Sequence, residues 1–347
     1  LKPALAETLG VIVFQEQVLK IARDLAGFTA GEGEQLRRAL GSKRAAEAVG
    51  AFRERFVKGA AAKGVPQTVA AAVFAQLEAF GGYAFAKSHA AAFAVLAYRS
   101  AYLRRYHPAA FFAGLLRHQP MGFYPAHVIV SEARRLGVRV LSVDITASEA
   151  RTDLEILPEP APSIDTAIRL GLDTVRGLGS DVSTAIVTAR QRAAFRSLAD
   201  LCRRGGLGRR TAEALILAGA LDGWGLHRRQ LVWDLAVALQ AARSEPTLHL
   251  QGEDAPVFAA LPDADRMLLE HRYTGVSASG HLYDVVARQL RTLGATLSGD
   301  LARWPAGTRV RVGGMVVARQ QPPTANGMAF LAVEDAQGLI NVAVSSE

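Results

Sequence analysis

Apolar residues recur at three- and four-residue steps through the first third of the chain. Val11, Phe14, Val18, Ile21 and Leu25 predict a helix over 9–26, ended by Gly27. Further helices are predicted over 35–40, closed by Gly41, over 44–63 and over 68–80. The stretch from Phe80 to Pro108 then carries Gly81-Gly82, a polar run Lys87-Ser88-His89 and an alanine-rich helix, which stops where Pro108 has no N–H to donate. Ser88 is the expected N-cap of that helix, placing its free N–H groups and dipole beside Lys87 and His89, a corner suited to phosphate. A helical pattern continues over 109–118, breaks at Gln119-Pro120-Met121-Gly122-Phe123-Tyr124-Pro125, and returns over 128–136 ahead of a predicted strand over 138–143. Turn formers over 157–163 mark a boundary.

Beyond that boundary the chain repeats itself. Leu172–Arg190 and Leu198–Leu217 each read helix, Gly-apolar-Gly hairpin, helix, the hairpins being Val175-Arg176-Gly177-Leu178-Gly179 and Gly205-Gly206-Leu207-Gly208. Glycine permits a tight turn with positive φ and leaves bare backbone N–H groups at a helix start, where a phosphate fits with no side chain in the way. One such turn could merely join two helices. Two in tandem, in a basic chain, point to helix-hairpin-helix DNA binding through Gly177, Gly179, Gly206 and Gly208, with Arg176, Arg209 and Arg210 reinforcing the grip. Contacts of that kind ignore base identity.

Towards the end the period falls to two. Residues 308–312, extended by Val316 and Val317, then 328–333 and 339–344 predict three consecutive antiparallel strands, like the opening half of a five-stranded OB-fold. Arg309, Arg311, Arg319 and Phe330 are candidates for single-strand binding, Phe330 equally for a core position.

Composition narrows the partners. The 347 residues, 50% hydrophobic and 21% charged, suffice for two or three domains. The net charge of +8 favours a polyanion such as nucleic acid. Every lysine precedes residue 90 and arginine alone follows, a residue that forks onto phosphate, although a GC-rich genome gives the same bias. The single cysteine, Cys202, excludes an internal disulfide and a thiolate metal cluster, and a reducing cytoplasm is expected. No apolar run reaches the roughly 20 residues of a membrane span, so no membrane partner is expected. Leu1-Lys2-Pro3 is neither an initiator methionine nor a leader, and the chain is expected to begin inside something larger. No phosphate loop of the Gly-x-x-x-x-Gly-Lys-Ser/Thr type is present, nothing selects a hydrolase triad, and neither Asp263-Ala264-Asp265 nor 153–155 makes a convincing metal-binding pair.

Three stretches in order carry a resemblance. Gly10-Val-Ile-Val-Phe-Gln-Glu-Gln-Val18, Leu36-Arg37-Arg38-Ala39-Leu40-Gly41 and Gly82-Tyr-Ala-Phe-Ala-Lys-Ser-His-Ala-Ala91 resemble the fingers domain of bacterial C-family DNA polymerases, the group that includes the replicative polymerase III alpha subunit and its error-prone relatives. The resemblance implies a mainly α chain: fingers over 1–118, a connecting α/β segment over 119–160, a tandem helix-hairpin-helix module over 161–240, a linker with short helices over 241–300 and a partial OB-fold over 301–347. It implies part of a DNA-directed DNA polymerase that positions the incoming dNTP and grips primer–template DNA. Position by position, Arg37, Arg38, Lys87, Ser88 and His89 would contact the triphosphate, and His89 could protonate the leaving group. In the family, Mg²⁺ is held by palm aspartates that precede the fingers, so this chain alone is expected to be inactive. Pro120-Met-Gly-Phe-Tyr124 resembles the error-prone branch, whereas Lys87 follows the replicative pattern, and the branch stays open. The sliding clamp or other accessory proteins are further partners implied by the family, but Thr247-Leu248-His249-Leu250 lacks the leading Gln and closing Phe of a clamp-binding peptide. Gly275-Val-Ser-Ala-Ser-Gly-His281 resembles the family's link into its next domain. The rival reading is a non-catalytic DNA-binding or scaffolding protein that has kept these modules.

Overall fold

The computed structural model describes residues 1–40, 46–81, 85–122, 124–157, 166–243, 256 and 258–345. Outside them lie Gly41, Gly82, Tyr83, Phe123, residues 158–163 and the segment Thr247–Leu250. The chain is mainly α-helical and divides into two compact units, Leu1–Ala101 and Tyr102–Glu347.

The first unit holds α1 (Lys2–Leu5), α2 (Gln15–Ala26), α3 (Ala30–Leu40), α4 (Ala46–Ala62), α5 (Gln67–Gly81) and the start of α6 (Lys87–Tyr106). Its core is the apolar stripe of each helix turned inward: Val18 and Ile21 from α2, Leu36 from α3, Phe56 from α4, and Phe74 and Leu77 from α5. Phe56 bridges Phe28 and Phe74, with ring centroids 6.0 and 5.4 Å away. The helix expected from residue 9 begins only at Gln15, because Leu9 and Gly10 take φ of 54° and 93°, values no α-helix accommodates. Gln17 then closes the new start, its buried Oε1 accepting from the N–H groups of Val13 (2.8 Å) and Phe14 (2.9 Å). Gly27 ends α2 in the left-handed conformation, as the sequence predicts.

The second unit runs through α7 (Pro108–Arg117), α8 (Ala126–Arg135), β1 (Val140–Leu141), β2 (Asp153–Ile156), β3 (Thr166–Arg169), α9 (Gly179–Arg192), α10 (Leu198–Arg204), α11 (Arg209–Leu217), α12 (Arg228–Arg243), α13 (Asp263–Thr274), α14 (Tyr283–Thr292), β4 (Met315–Gln320), β5 (Ala329–Glu334) and β6 (Leu339–Val344). The strand expected over 138–143 shrinks to Val140–Leu141, parallel to β3, which also pairs antiparallel with β2. Phe112 and Leu116 of α7 join Ile168, Leu178, Ile186, Leu201 and Leu215 in one core beneath the hairpins.

A buried and a half-buried charge tie this core to the link after α13. Glu270, 4% exposed, takes Arg228 on one oxygen (3.1 Å) and Ser277 Oγ with the N–H groups of Ala278 and Ser279 on the other. Arg134 donates to the carbonyls of Ser277, Ala278 and Gly280. The stretch 275–280 is thereby folded around two charges, and Ser277 and Ser279 are accounted for by them.

The C-terminal strands form an antiparallel meander in the order β4-β5-β6. The strand expected over 308–312 is not made; Arg311 contributes one isolated bridge to Ala295, and β4 starts only after Gly313 and Gly314. A side chain at Gly314 would meet the carbonyl oxygen of Glu334 at 2.3 Å, which is how the backbone passes from that segment into the sheet.

Candidate nucleic-acid interface

Both hairpins bury the leucine and expose the glycines. Leu178 and Leu207 are 2% and 6% exposed, whereas Gly177, Gly179, Gly206 and Gly208 face solvent. The leucines are anchors in the shared core, so the peptide on either side is held outward at a helix start. In the second hairpin, α10 ends in a Schellman arrangement: Gly206 takes φ of 64°, and the N–H of Leu207 reaches back to the carbonyl of Cys202 (2.9 Å). The helix expected before the first hairpin is reduced to one 3₁₀ turn, Leu172–Thr174. Leu172 is fully buried there, and the backbone of β3 arrives immediately upstream, which leaves no room for a longer helix.

Gly208 is the informative position. Its φ of −83° suits any residue, and nothing lies within 4 Å of where a side chain would begin. Neither backbone strain nor packing inside the chain calls for glycine here.

The hairpins differ in charge. α11 opens with exposed Arg209 and Arg210, whereas the first turn of α9 carries Ser180 and exposed Asp181. An anion at the α11 start meets helix dipole and arginine together; at α9 the dipole is opposed by a carboxylate. Arg176 is exposed beside the first hairpin, its N–H bonded to the carbonyl of Tyr273 (2.7 Å).

In the first unit two of the five residues assigned to the triphosphate, Arg37 and Lys87, meet the N-terminal turn of α2. Phe14 and Phe85 form a parallel bridge, and the Gln15 N–H donates to the carbonyl of Phe85 (2.9 Å). Gln15 Oε1 accepts from Arg37 Nη1 (3.1 Å), and both Glu16 oxygens accept from the backbone N–H of Lys87 (3.1 and 3.0 Å). Ser88 is not the cap: α6 starts at Lys87, so Ser88 stands inside the first turn, and a carboxylate from α2 serves the free N–H instead. The His89 ring lies between those of Phe85 and Phe93, with centroids 5.0 and 4.5 Å away.

Three carboxylates that were not among the assigned residues, Glu34, Glu7 and Glu16, lie against them. Glu34 takes the Arg37 fork on both oxygens (2.8 Å each) and Arg38 Nε on one (2.9 Å). Those bonds, from Arg37 foremost and then Arg38, hold its carboxyl down to about 2. Glu7 pairs with Lys87 Nζ, which likewise lowers its carboxyl below the usual range. Glu34 was readable, standing three and four residues ahead of Arg37 and Arg38; Glu7 and Glu16 find their partners 80 and 71 residues away.

The C-terminal candidates do not come together. Cross-strand partners share a face of a sheet and neighbours along a strand alternate. Arg319 pairs with Leu331 and Phe330 with Gln320, so Arg319 and Phe330 lie on opposite faces. Arg311, before β4, spends its guanidinium on the carbonyl of Leu293. Arg309 is exposed in the same segment.

Comparison with known proteins meets this geometry at both ends. Residues 1–64 match the family model of the bacterial DNA polymerase III alpha subunit finger domain, and residues 137–231 that of the helix-hairpin-helix motif. The chain is a relative of the C-family DNA polymerases. Over 99% of its length it is 38% identical to an error-prone DNA polymerase of Symbiobacterium thermophilum, covering 36% of that protein, and 41% identical to one of Azoarcus sp. strain BH72, covering 32%. An error-prone DNA polymerase of Bordetella parapertussis is 39% identical over 100% of the chain, which covers 33% of it. The chain thus spans about a third of the length of these curated C-family relatives. No helix among the described residues is long and apolar enough to cross a membrane.

Proposed function

We propose that this chain works in a DNA-directed DNA polymerase of the error-prone branch, in the cytoplasm. It holds primer–template DNA by its phosphates at the two hairpins and the triphosphate of the incoming dNTP at Arg37, Arg38, Lys87, Ser88 and His89. Gly208 is the observation that carries the DNA grip: a glycine with ordinary φ and open space, beside two arginines at a helix start. The relatives, all error-prone DNA polymerases, support the polymerase reading and its branch. Nucleotidyl transfer employs divalent metal, Mg²⁺ in this reading. The described residues do not fit one, since no three His, Cys, Asp or Glu side chains among them are grouped to hold a metal ion. The share we assign to the chain is binding and positioning, with arginine and helix N-termini opposing phosphate charge.

The test is the affinity of the chain for primer–template DNA of two unrelated sequences across a salt series. Each phosphate contact contributes about −0.9 to the log–log slope, so both sequences should give one steep slope. Replacing Arg209 and Arg210 together by alanine should flatten it by about 2. Failure to bind at low salt, or a slope indifferent to that double change, would sink the assignment.

A further inference from the structure

The cations assigned to the triphosphate are already neutralised within the first unit. Arg37 and Arg38 pair with Glu34 and Lys87 with Glu7, while Glu16 accepts from the backbone N–H of Lys87. The carboxylates are not equivalent. Glu16 ties α2 to the backbone of α6, and Glu7 ties the turn after α1 to Lys87, so both hold separate elements together. Glu34 holds only arginines of its own helix, one turn further on, and its side chain is 37% exposed. It can leave without unfastening anything.

We propose that Glu34 is a built-in competitor for the nucleotide: it occupies the Arg37 fork and Arg38 until a triphosphate displaces it, and so sets the affinity for the dNTP. The proposal rests on the reading of Arg37 and Arg38 as phosphate ligands. On Arg37 the carboxylate takes the Nε–Nη2 edge and Gln15 Oε1 accepts from Nη1, so neither edge is wholly open to a phosphate, and on Arg38 the same carboxylate takes Nε. The apparent dissociation constant is then the intrinsic one divided by the fraction of chains whose fork is open. Because Glu34 stays ionised down to about pH 2, mild acid does not relieve the competition. An exposed pair within one helix is weak, so the occupancy raises the dissociation constant by about two- to fivefold, a graded limit rather than a block.

Titration calorimetry of the chain with dATP and with inorganic triphosphate, at low salt, tests this. Glu34→Gln should tighten both ligands by about two- to fivefold with an unchanged melting temperature, and Arg37→Gln with Arg38→Gln should weaken both. Glu54→Gln, an exposed position on α4, controls for net charge and should leave both affinities alone. If Glu34→Gln binds as the parent chain or more weakly while the arginine variant still loses affinity, Glu34 orients the arginines and the competitor proposal is overturned, the phosphate reading surviving. Equal tightening by Glu54→Gln overturns it too, as a bulk charge effect. If the arginine variant binds like the parent chain, the phosphate reading fails and the proposal falls with it.

Discussion

Glycines that look alike in the second hairpin serve different ends. A side chain at Gly205 would meet the carbonyl oxygen of Leu201 at 2.8 Å and Ile186 Cγ1 at 3.2 Å, so this glycine lets α10 pack on α9. Gly206 is there for its φ of 64°, whereas a side chain at Gly208 would meet only open space. Gly205→Ala should therefore lower stability by about 1–3 kcal/mol through overpacking. Gly208→Ala should stay within about 0.5 kcal/mol while weakening DNA binding, and melting curves beside a DNA titration of the two variants separate the cases. The hairpin pattern itself was legible, because glycine-leucine-glycine beside a helix start is a local signal. Which glycine does what was not, since the deciding neighbour, Ile186, lies in another helix. Ser88 failed as a cap for the same reason: the sequence shows the nearest capping side chain, and Glu16 from α2 was already at the N–H.

At the scale of elements, the long periodic helices were legible and the short strands were not. β2 and β3 have four residues each, too few to establish a period, and Leu154 and Ile156 of β2 are exposed. Residues 308–312 alternate faithfully yet make no strand, because Arg311 is drawn to the end of α14 and the glycines after it break the run. A pH dependence belongs to the contact of α8 with α13. His127 and His271 meet there with ring centroids 5.4 Å apart, and neither His127 Nε2 nor His271 Nδ1 has a partner. Burial first lowers both from their ordinary values. For His127, Glu334 works against this, while His271 and His281 add to it; for His271, Arg176 adds to it. Arg135 also faces Glu334, at 3.4 Å. Since the unfolded chain takes up these protons more readily, their contribution is present above about pH 6.5 and is lost as pH falls through the depressed folded values. The second unit should melt at lower temperature at pH 5.5 than at 7.5, and His127→Phe should reduce the difference; an unchanged difference would reject this account.

Among the described residues two cores form, each drawn from its own unit. Phe56 is fully buried in the first. Phe56→Ala should remove about 3–5 kcal/mol there and lower one calorimetric transition while leaving the other in place; a single shifted transition would mean that the units unfold together. The sequence divides the chain by motif, and it could not show that Phe112 and Leu116, just after α6, belong to the second core, because membership of a core is settled by what packs and not by spacing. The unequal first turns of α9 and α11 also have a consequence in time. On the proposed DNA grip, a uniformly charged duplex laid across both hairpins would be held more loosely where Asp181 stands and more firmly at Arg209 and Arg210. Release would then begin as fraying at the first hairpin and finish at the second, so that the chain lets go of DNA in a fixed order.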